Sequence, residues 1–461
     1  MKGFLNKAQI EYVLSHLNNH IDLNETVKNS FVFLKYHDKI SDYSNKIIFL
    51  LSDKDIDLNE IVSINQIPVL FPVAGEMNSF RKEDGNIIVH HDYIKSAFFL
   101  LSGYQEYVNN EKDSLGRFSY MSSVQEKLKI TDKPIVNYYF VEIIKAIEEF
   151  CLMHNIKTGK KKEFNTFAFL LTHDIDRISY YNMNTLLYSL KLLFGFKKSE
   201  NSRIYLLKEV INVGLHIVNI FDKRDPYWNF EFLSANEKEL GITSTYFFLP
   251  RDRKHVDSYY NFTDKKIRNL IAFLKNKENE VGLHGTVASS ESIDSLKVII
   301  KDFKSATGLS GFGIRQHKLM WHHPLTAVNH GKVGIIYDAT LGFADHEGFR
   351  NSYCHPFKLF DFENNRMLPT WEIPLNVMDT TLLHYRHLSN EALIESVSEI
   401  VKEIKKFNGV FTLLWHNSSL YENAMPGITK LYFDLLNKIL AEQPEIYSGL
   451  EIIEKYNSIK L

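Results

Sequence analysis

Phe167-Ala168-Phe169-Leu170-Leu171-Thr172-His173-Asp174-Ile175-Asp176 is a short apolar run that ends in histidine and two carboxylates. The run is far below membrane-spanning length, so it reads as a buried strand. Strand alternation puts residues two apart on the same face, so the carboxylates of Asp174 and Asp176 aim at one place. Runs of the same kind recur at 243–249, 280–283, 311–315, 334–338, 371–377 and 409–415, which with 167–172 makes seven. Helical periodicity fills most of the intervals, at 264–275, 292–305 and 390–406. Short strands alternating with helices predict a parallel α/β sheet.

The expected fold is therefore a distorted TIM-like (β/α)7 barrel over residues 165–461, with a helical insertion at about 180–230 that includes the aliphatic-rich stretch 206–221. A smaller α/β domain precedes it over residues 1–156. There, helical spacing at 7–20 is followed by apolar runs at 31–34, 47–51 and 69–73 and a helical stretch at 93–107. A second helix, 137–154, carries Phe140, Ile143, Ile144, Ile147 and Phe150 on one face. The charged stretch 157–163 marks the boundary. Its Gly159-Lys160-Lys161-Lys162 lacks Walker-type glycine spacing and reads as a solvated linker.

Composition narrows the class. The chain has 461 residues, 44% hydrophobic and 24% charged, which is ordinary for a globular protein of more than one core. Net charge is −2 with no long run of one sign, so a nucleic-acid partner is not expected. Cys151 and Cys354 are the only cysteines, which excludes a disulfide framework and suggests a reducing compartment. The N-terminal residues lack the apolar core of a signal peptide, and no integral membrane segment is visible. A cytoplasmic location is the expectation.

In barrels of parallel strands the reacting groups sit at the strands' C-terminal ends. Those ends here carry Asp174 and Asp176, His284, Arg315 with His317, Tyr337 with Asp338, Glu372, and His416. Two carboxylates as close as Asp174 and Asp176 repel, and a divalent cation plus an arginine would relieve the repulsion while leaving one free as a base. His284 suits a metal ligand or a hydrogen-bonded structural role. His416 suits a general acid, since an unperturbed imidazole has a pKa near ~6.5.

Taken in order over roughly residues 165–420, these motifs resemble the polysaccharide deacetylase family, the NodB-homology or carbohydrate esterase family four proteins. The resemblance implies that Asp174 is the catalytic base and Asp176 a metal ligand. It makes His284, in His284-Gly285-Thr286-Val287-Ala288, a second ligand, Arg315 the residue orienting the base, and His416, in Leu414-Trp415-His416, the acid. Tyr337 to Asp345 and Gly348-Phe349-Arg350 resemble a bacterial subgroup often found among genes for surface-polysaccharide assembly. Gly116-Arg117-Phe118-Ser119 and Lys133-Pro134-Ile135-Val136-Asn137 resemble that subgroup's N-terminal domain, which has no assigned function.

Ala288 stands where the family has a ligand histidine. Catalytic zinc normally takes three protein ligands and a water, so a substitute is needed. His317 shares the face of Arg315 and is the expected third ligand, whereas His173 points the other way; His346 and Asp345 stay open. The implied activity is hydrolysis of an acyl group, N-acetyl above all, from a carbohydrate, with a divalent metal such as zinc as cofactor. Trp321, Trp415, Tyr337 and Asp338 are the expected substrate-binding residues, and Trp371 lines the cleft or packs in the core. The rivals are an inactive carbohydrate-binding protein, a glycoside hydrolase using Asp174 with Glu372, and a scaffolding role resting on the N-terminal domain. Sugar identity, N- or O-linkage, metal identity and oligomeric state lie beyond these residues.

Overall fold

The computed structural model describes residues 1–73, 77–198, 202–218, 225–251 and 257–458. The last residues of the expected helix 206–221 lie outside that set. The apolar runs of the N-terminal part become β1 (Phe31–Lys35) and β2 (Ile47–Leu51), paired in parallel. The expected strand 69–73 is instead a small hairpin, β3 (Val62–Ile64) with β4 (Ile67–Val69). The main sheet is completed by β5 (Phe80–Glu83) and β6 (Asn86–Val89), in the order β1-β2-β6-β5. β5 and β6 are joined by Asp84-Gly85, both at positive φ (48° and 78°), a two-residue turn that prefers this dipeptide. The expected helix 93–107 divides into Tyr93–Leu101 and Tyr104–Val108, because Gly103 at φ 73° interrupts it.

The rest of the chain is mixed α/β around one large sheet. Its strands are β7 (Ala168–Ile175), β8 (Ser244–Phe248), β9 (Glu280–Gly285), β10 (Gly313–Gln316), β11 (Tyr337–Asp338), β12 (Phe357–Asp361), β13 (Arg366–Glu372), β14 (Val377–Met378), β15 (Val410–Leu414) and β16 (Glu445–Ile446). They run in the order β12-β13-β11-β10-β9-β8-β7-β15-β14, with β16 beside β7, and all pairs are parallel except β12 with β13. The expected strand 371–377 is thus two pieces: β13 pairs with β11, and after four residues β14 pairs with β15. The expected strand 334–338 shortens because Gly334, at φ 77°, caps the helix Leu325–Val333. Helices Lys265–Asn276, Ile293–Thr307 and Asn390–Lys406 cover the sheet where periodicity places them. The insertion after β7 holds two more, Met183–Leu193 and Arg203–Ile217. Among the described residues no helix is long and apolar enough to cross a membrane.

The N-terminal part is not strung on a free linker. Tyr12, Phe98 and Phe140 share one apolar cluster with Trp321, Tyr353, Phe357 and Phe360. Arg350 donates to both carboxylate oxygens of Glu106, at 2.8 and 2.7 Å, in a fully buried pair. Val136 N donates to Ser352 O at 2.8 Å, and Cys354 N to Asn137 Oδ1 at 3.1 Å. Gly348, at φ 122°, lies so close to Thr131 that a Cβ there would meet its carbonyl oxygen at 2.2 Å. The Lys-rich stretch keeps its lysine side chains largely in solvent, yet its backbone is paired. Lys161 N donates to His20 O at 2.8 Å and Asp22 N to Gly159 O at 2.9 Å, which corrects the solvated-linker reading.

Removing one partner of a buried charge pair strands the other in low dielectric. Arg350→Ala is expected to lower unfolding free energy by about 3–5 kcal/mol in denaturant titration. A loss below ~1 kcal/mol would show that the Glu106–Arg350 contact does not hold the two parts together.

Candidate active site

Strands β9 and β10 pair with Arg315 opposite His284, so both side chains project to the same side at the C-terminal end of the sheet. Arg315 is fully buried, and its guanidinium reaches across to β7. Nη1 donates to Asp174 Oδ1 at 2.9 Å and to Thr172 Oγ1 at 2.8 Å, while Nε donates to Ala339 O at 2.8 Å. The Phe247 ring lies 4.7 Å from the guanidinium carbon.

Asp176 is where three imidazoles meet. Its oxygens stand 3.3 Å from His284 Nε2, 3.6 Å from His317 Nε2 and 3.8 Å from His416 Nε2. His284 Nε2 is also 3.5 Å from Asp174 Oδ2. The opposite nitrogen of each ring is anchored. His284 Nδ1 donates to Arg315 O at 2.7 Å, His317 Nδ1 to Asp257 Oδ1 at 2.5 Å, and His416 Nδ1 to Asp379 Oδ1 at 2.8 Å. A carbonyl oxygen only accepts, so His284 carries a proton on Nδ1, and its Nε2 faces the two carboxylates.

Burial alone would lower the His416 pKa, but the charge and hydrogen bond of Asp379, with Asp176 and Asp174 behind it, raise it to about 10. His317 is likewise disfavoured by burial and raised to about 9 by Asp176 and Asp257. Burial would raise Asp176, yet His317 and His284 hold it well below the usual carboxylate range. The sequence-based expectation of an unperturbed His416 is therefore corrected: it is charged throughout the neutral range. The responsible carboxylate, Asp379, lies just beyond β14 and also accepts His416 N at 2.8 Å.

Metal-binding histidines typically anchor one ring nitrogen on a carbonyl or carboxylate and present the other. His284 and His317 do so around Asp176, whose Oδ1 is buried without a hydrogen-bond donor. The donor chemistry fits a first-row divalent ion. As the side chains stand, however, the spacing is that of ion pairs, and among the described residues no three His, Cys, Asp or Glu are arranged to hold a metal ion.

A cavity of about 400 Å³ opens beside Asp176 and His416, and Arg177, Tyr227, Thr380, His384, Ser419 and Tyr421 help to line it. The expected substrate residues lie elsewhere. Trp321 and Trp415 are core side chains, the first in the cluster shared with the N-terminal part, the second against Tyr432. Tyr337 is buried, with its hydroxyl on Glu280 Oε1 at 2.7 Å. Asp338 is buried, 2.8 Å from His330 Nδ1. All four are corrected as cleft-lining residues, because packing turns their side chains inward. Tyr227 and Tyr421 are the aromatic rings at the cavity. Trp371 pairs with Asn457 and Tyr456 in the core.

Glu372 accepts Leu341 N at 2.7 Å, and burial beside Asp338 pushes its pKa well above the usual range. His173 faces away from Asp174: its Nδ1 donates to Trp415 O at 2.6 Å and Nε2 meets Glu237 at 3.0 Å. His346 is held by Arg386 at 2.6 Å and Asp345 by Tyr120 N at 3.4 Å. Ala288 sits in the short 3-10 turn Val287–Ser290.

Sequence reasoning did not find Asp257 or Asp379, and named Arg117 only within a motif of the N-terminal domain, with no role at the site. The first two lie in loops, outside the strand-end pattern. Arg117 belongs to the N-terminal part, and its Nη1 donates to Lys318 O at 2.7 Å, directly after His317. Lys318 and Leu319 both have positive φ (58° and 54°), so Arg117 braces the strained turn that carries His317.

Residues 4–151 match the model of a family of unknown function (DUF7033). No curated protein matches the chain. Among solved structures, a putative polysaccharide deacetylase from Mycobacterium smegmatis is similar at 15% identity, covering 64% of this chain and 92% of that one, with a TM-score of 0.41. PuuE allantoinase is similar at 11% identity, over 63% of this chain and 90% of that one, with a TM-score of 0.42. A CE4 family pseudoenzyme from Bacillus anthracis is similar at 11% identity, over 63% and 66%, with a TM-score of 0.32.

Asp379 supplies the main stabilisation of the His416 imidazolium, so its neutral replacement makes the charged ring less favourable. In Asp379→Asn the His416 ring should titrate well below about 10, toward the unperturbed ~6.5, in an NMR titration of the imidazole nitrogens. An unchanged midpoint would remove Asp379 from this role.

Proposed function

We propose that the chain is a metal-dependent hydrolase that removes an acyl group, N-acetyl above all, from a carbohydrate, working in surface-polysaccharide metabolism in the cytoplasm. The observation that carries the reading is the meeting of Asp174, Asp176, His284, Arg315, His317 and His416 in one cluster, with Asp176 and His416 lining a cavity. We read the large sheet as a distorted seven-stranded barrel. β13 and β14 form one passage of chain that pairs with β11 on one side and β15 on the other, so the strand order returns on itself.

Asp176, His284 and His317 would hold the divalent ion, with zinc the first choice from the nitrogen and oxygen donors. Such an ion supplies Lewis acidity, polarising an acyl carbonyl and lowering the pKa of water. Asp174 accepts the proton of the attacking water. Arg315 fixes Asp174 Oδ1 by a charge-assisted hydrogen bond and leaves Oδ2 directed toward the site. His416, kept protonated by Asp379, gives its proton to the leaving amine. Tyr227 and Tyr421 line the cavity in which a sugar would bind. Both thiols are free and buried, in keeping with a reducing compartment.

Acetate release from N-acetylglucosamine oligomers tests the proposal. Asp174→Asn and His416→Ala are each expected to cost at least ~10²-fold in turnover, and chelation should abolish activity in the parent. Asp176→Ala and His284→Ala should reduce metal content in elemental analysis. Reducing-sugar release without acetate would replace the proposal with a glycoside hydrolase. Oligosaccharide binding with neither acetate nor metal would make the chain a binding protein.

A further inference from the structure

The two helices inserted after β7, and the segment that follows the first of them, leave several large apolar side chains exposed. Phe196 is 80% exposed, Ile204 70% and Phe194 69%; Leu187, Leu207 and Ile211 are also exposed. Ile204, Leu207 and Ile211 follow the i, i+3, i+7 spacing of one helix face, while Leu206 and Val213 turn into the protein. Basic residues flank this surface. Lys191, Lys197, Lys198, Arg203 and Lys208 are all exposed, and residues 183–218 hold five Lys or Arg against two Glu in a chain of net charge −2.

We propose that this hairpin docks the protein on an anionic lipid bilayer surface, with its apolar side chains in the headgroup boundary and its cations on the lipid phosphates. Helices with aromatic and aliphatic side chains on one side and Lys or Arg beside them bind interfaces without spanning them. The charge pattern decides between occupants. A second copy seated on the same face would set one basic cluster against another, whereas anionic headgroups neutralise it. Long lysine and arginine side chains reach the phosphates while their stems lie along the apolar surface.

The hairpin is also coupled to the cavity. Tyr180 donates from its hydroxyl to Glu209 on the second helix and packs 4.5 Å from the ring of Tyr421 at the cavity wall. Asp225 closes the base of the insertion by accepting from Ser179 Oγ at 2.6 Å and Tyr180 N at 2.8 Å. A docked hairpin therefore brings the rim of the cavity to the bilayer, within reach of a glycan carried on a membrane-embedded lipid. That substrate class rests on the hydrolase reading; the docking does not.

Flotation of the full-length protein with vesicles tests the docking directly. The protein should float with phosphatidylcholine vesicles containing phosphatidylglycerol and remain unbound with phosphatidylcholine alone. Lys191→Glu and Lys208→Glu should each weaken association at least ~fivefold. Phe194→Ser combined with Phe196→Ser should weaken it at least ~tenfold. These side chains are exposed, so the circular dichroism spectrum and acetate release from soluble oligomers should be unchanged. Failure to float with anionic vesicles, or flotation that the substitutions leave intact, would overturn the proposal. An oligomer that Phe194→Ser with Ile204→Ser splits into monomers would overturn it as well, by showing that a second copy covers the face. Loss of acetate release alone, with flotation intact, would sink the hydrolase reading and leave the docking standing.

Discussion

Taking a guanidinium out of water is costly unless its donors are met, and Arg315 meets that demand across the sheet through Nε and Nη1, with Nη2 left buried and unbonded. Its bonds to Asp174, Thr172 and Ala339 join the ends of β10 and β7 to the residue after β11. Those three segments are fixed relative to one another by one buried charge. The packing beneath it is equally tight: a Cβ at Gly313 would meet the Tyr337 ring at 2.0 Å. Asp174 therefore cannot shift without stranding a cation, and the geometry of the whole rim is referred to this bond.

Around that fixed point the histidines are oriented by groups behind them. Arg315 O, Asp257 and Asp379 each take the Nδ1 side of one ring, so that three Nε2 atoms converge on Asp176. The carboxylates exceed the fixed cations here. His317 and His416 respond by holding protons to about 9 and about 10. A divalent ion would answer the same deficit of positive charge, which is the physical basis for the cofactor in the proposed reaction.

The N-terminal part participates in this arrangement through its backbone and two arginine contacts. Glu106 receives Arg350 from the far side of the interface, and Arg117 reaches Lys318 O beside His317. Motif residues that suggest no chemistry on their own, including Gly348 and Asn137, are contact residues of that interface. A segment that matches the model of a family of unknown function is thus packed against the turn that carries His317.

Sequence periodicity determined the alternation of strands and helices, the common face of Asp174 and Asp176, and the charged strand ends at His284, Arg315 and His416. These depend on backbone geometry over a few residues, which a linear pattern records. The hairpin β5–β6 escaped because β5 reads Phe80-Arg81-Lys82-Glu83 and the apolar run of β6, Ile87-Ile88-Val89, is only three residues long, although Asp84-Gly85 marks its turn. Tertiary structure alone decided which side chains touch. Asp379 and Asp257 come from loops far along the chain, and Trp415, at a polar strand end, and Trp321, beyond the turn after β10, both turn into the core. The reason is that partner choice and burial are set when distant strands come together, and local spacing carries no information about distance through space.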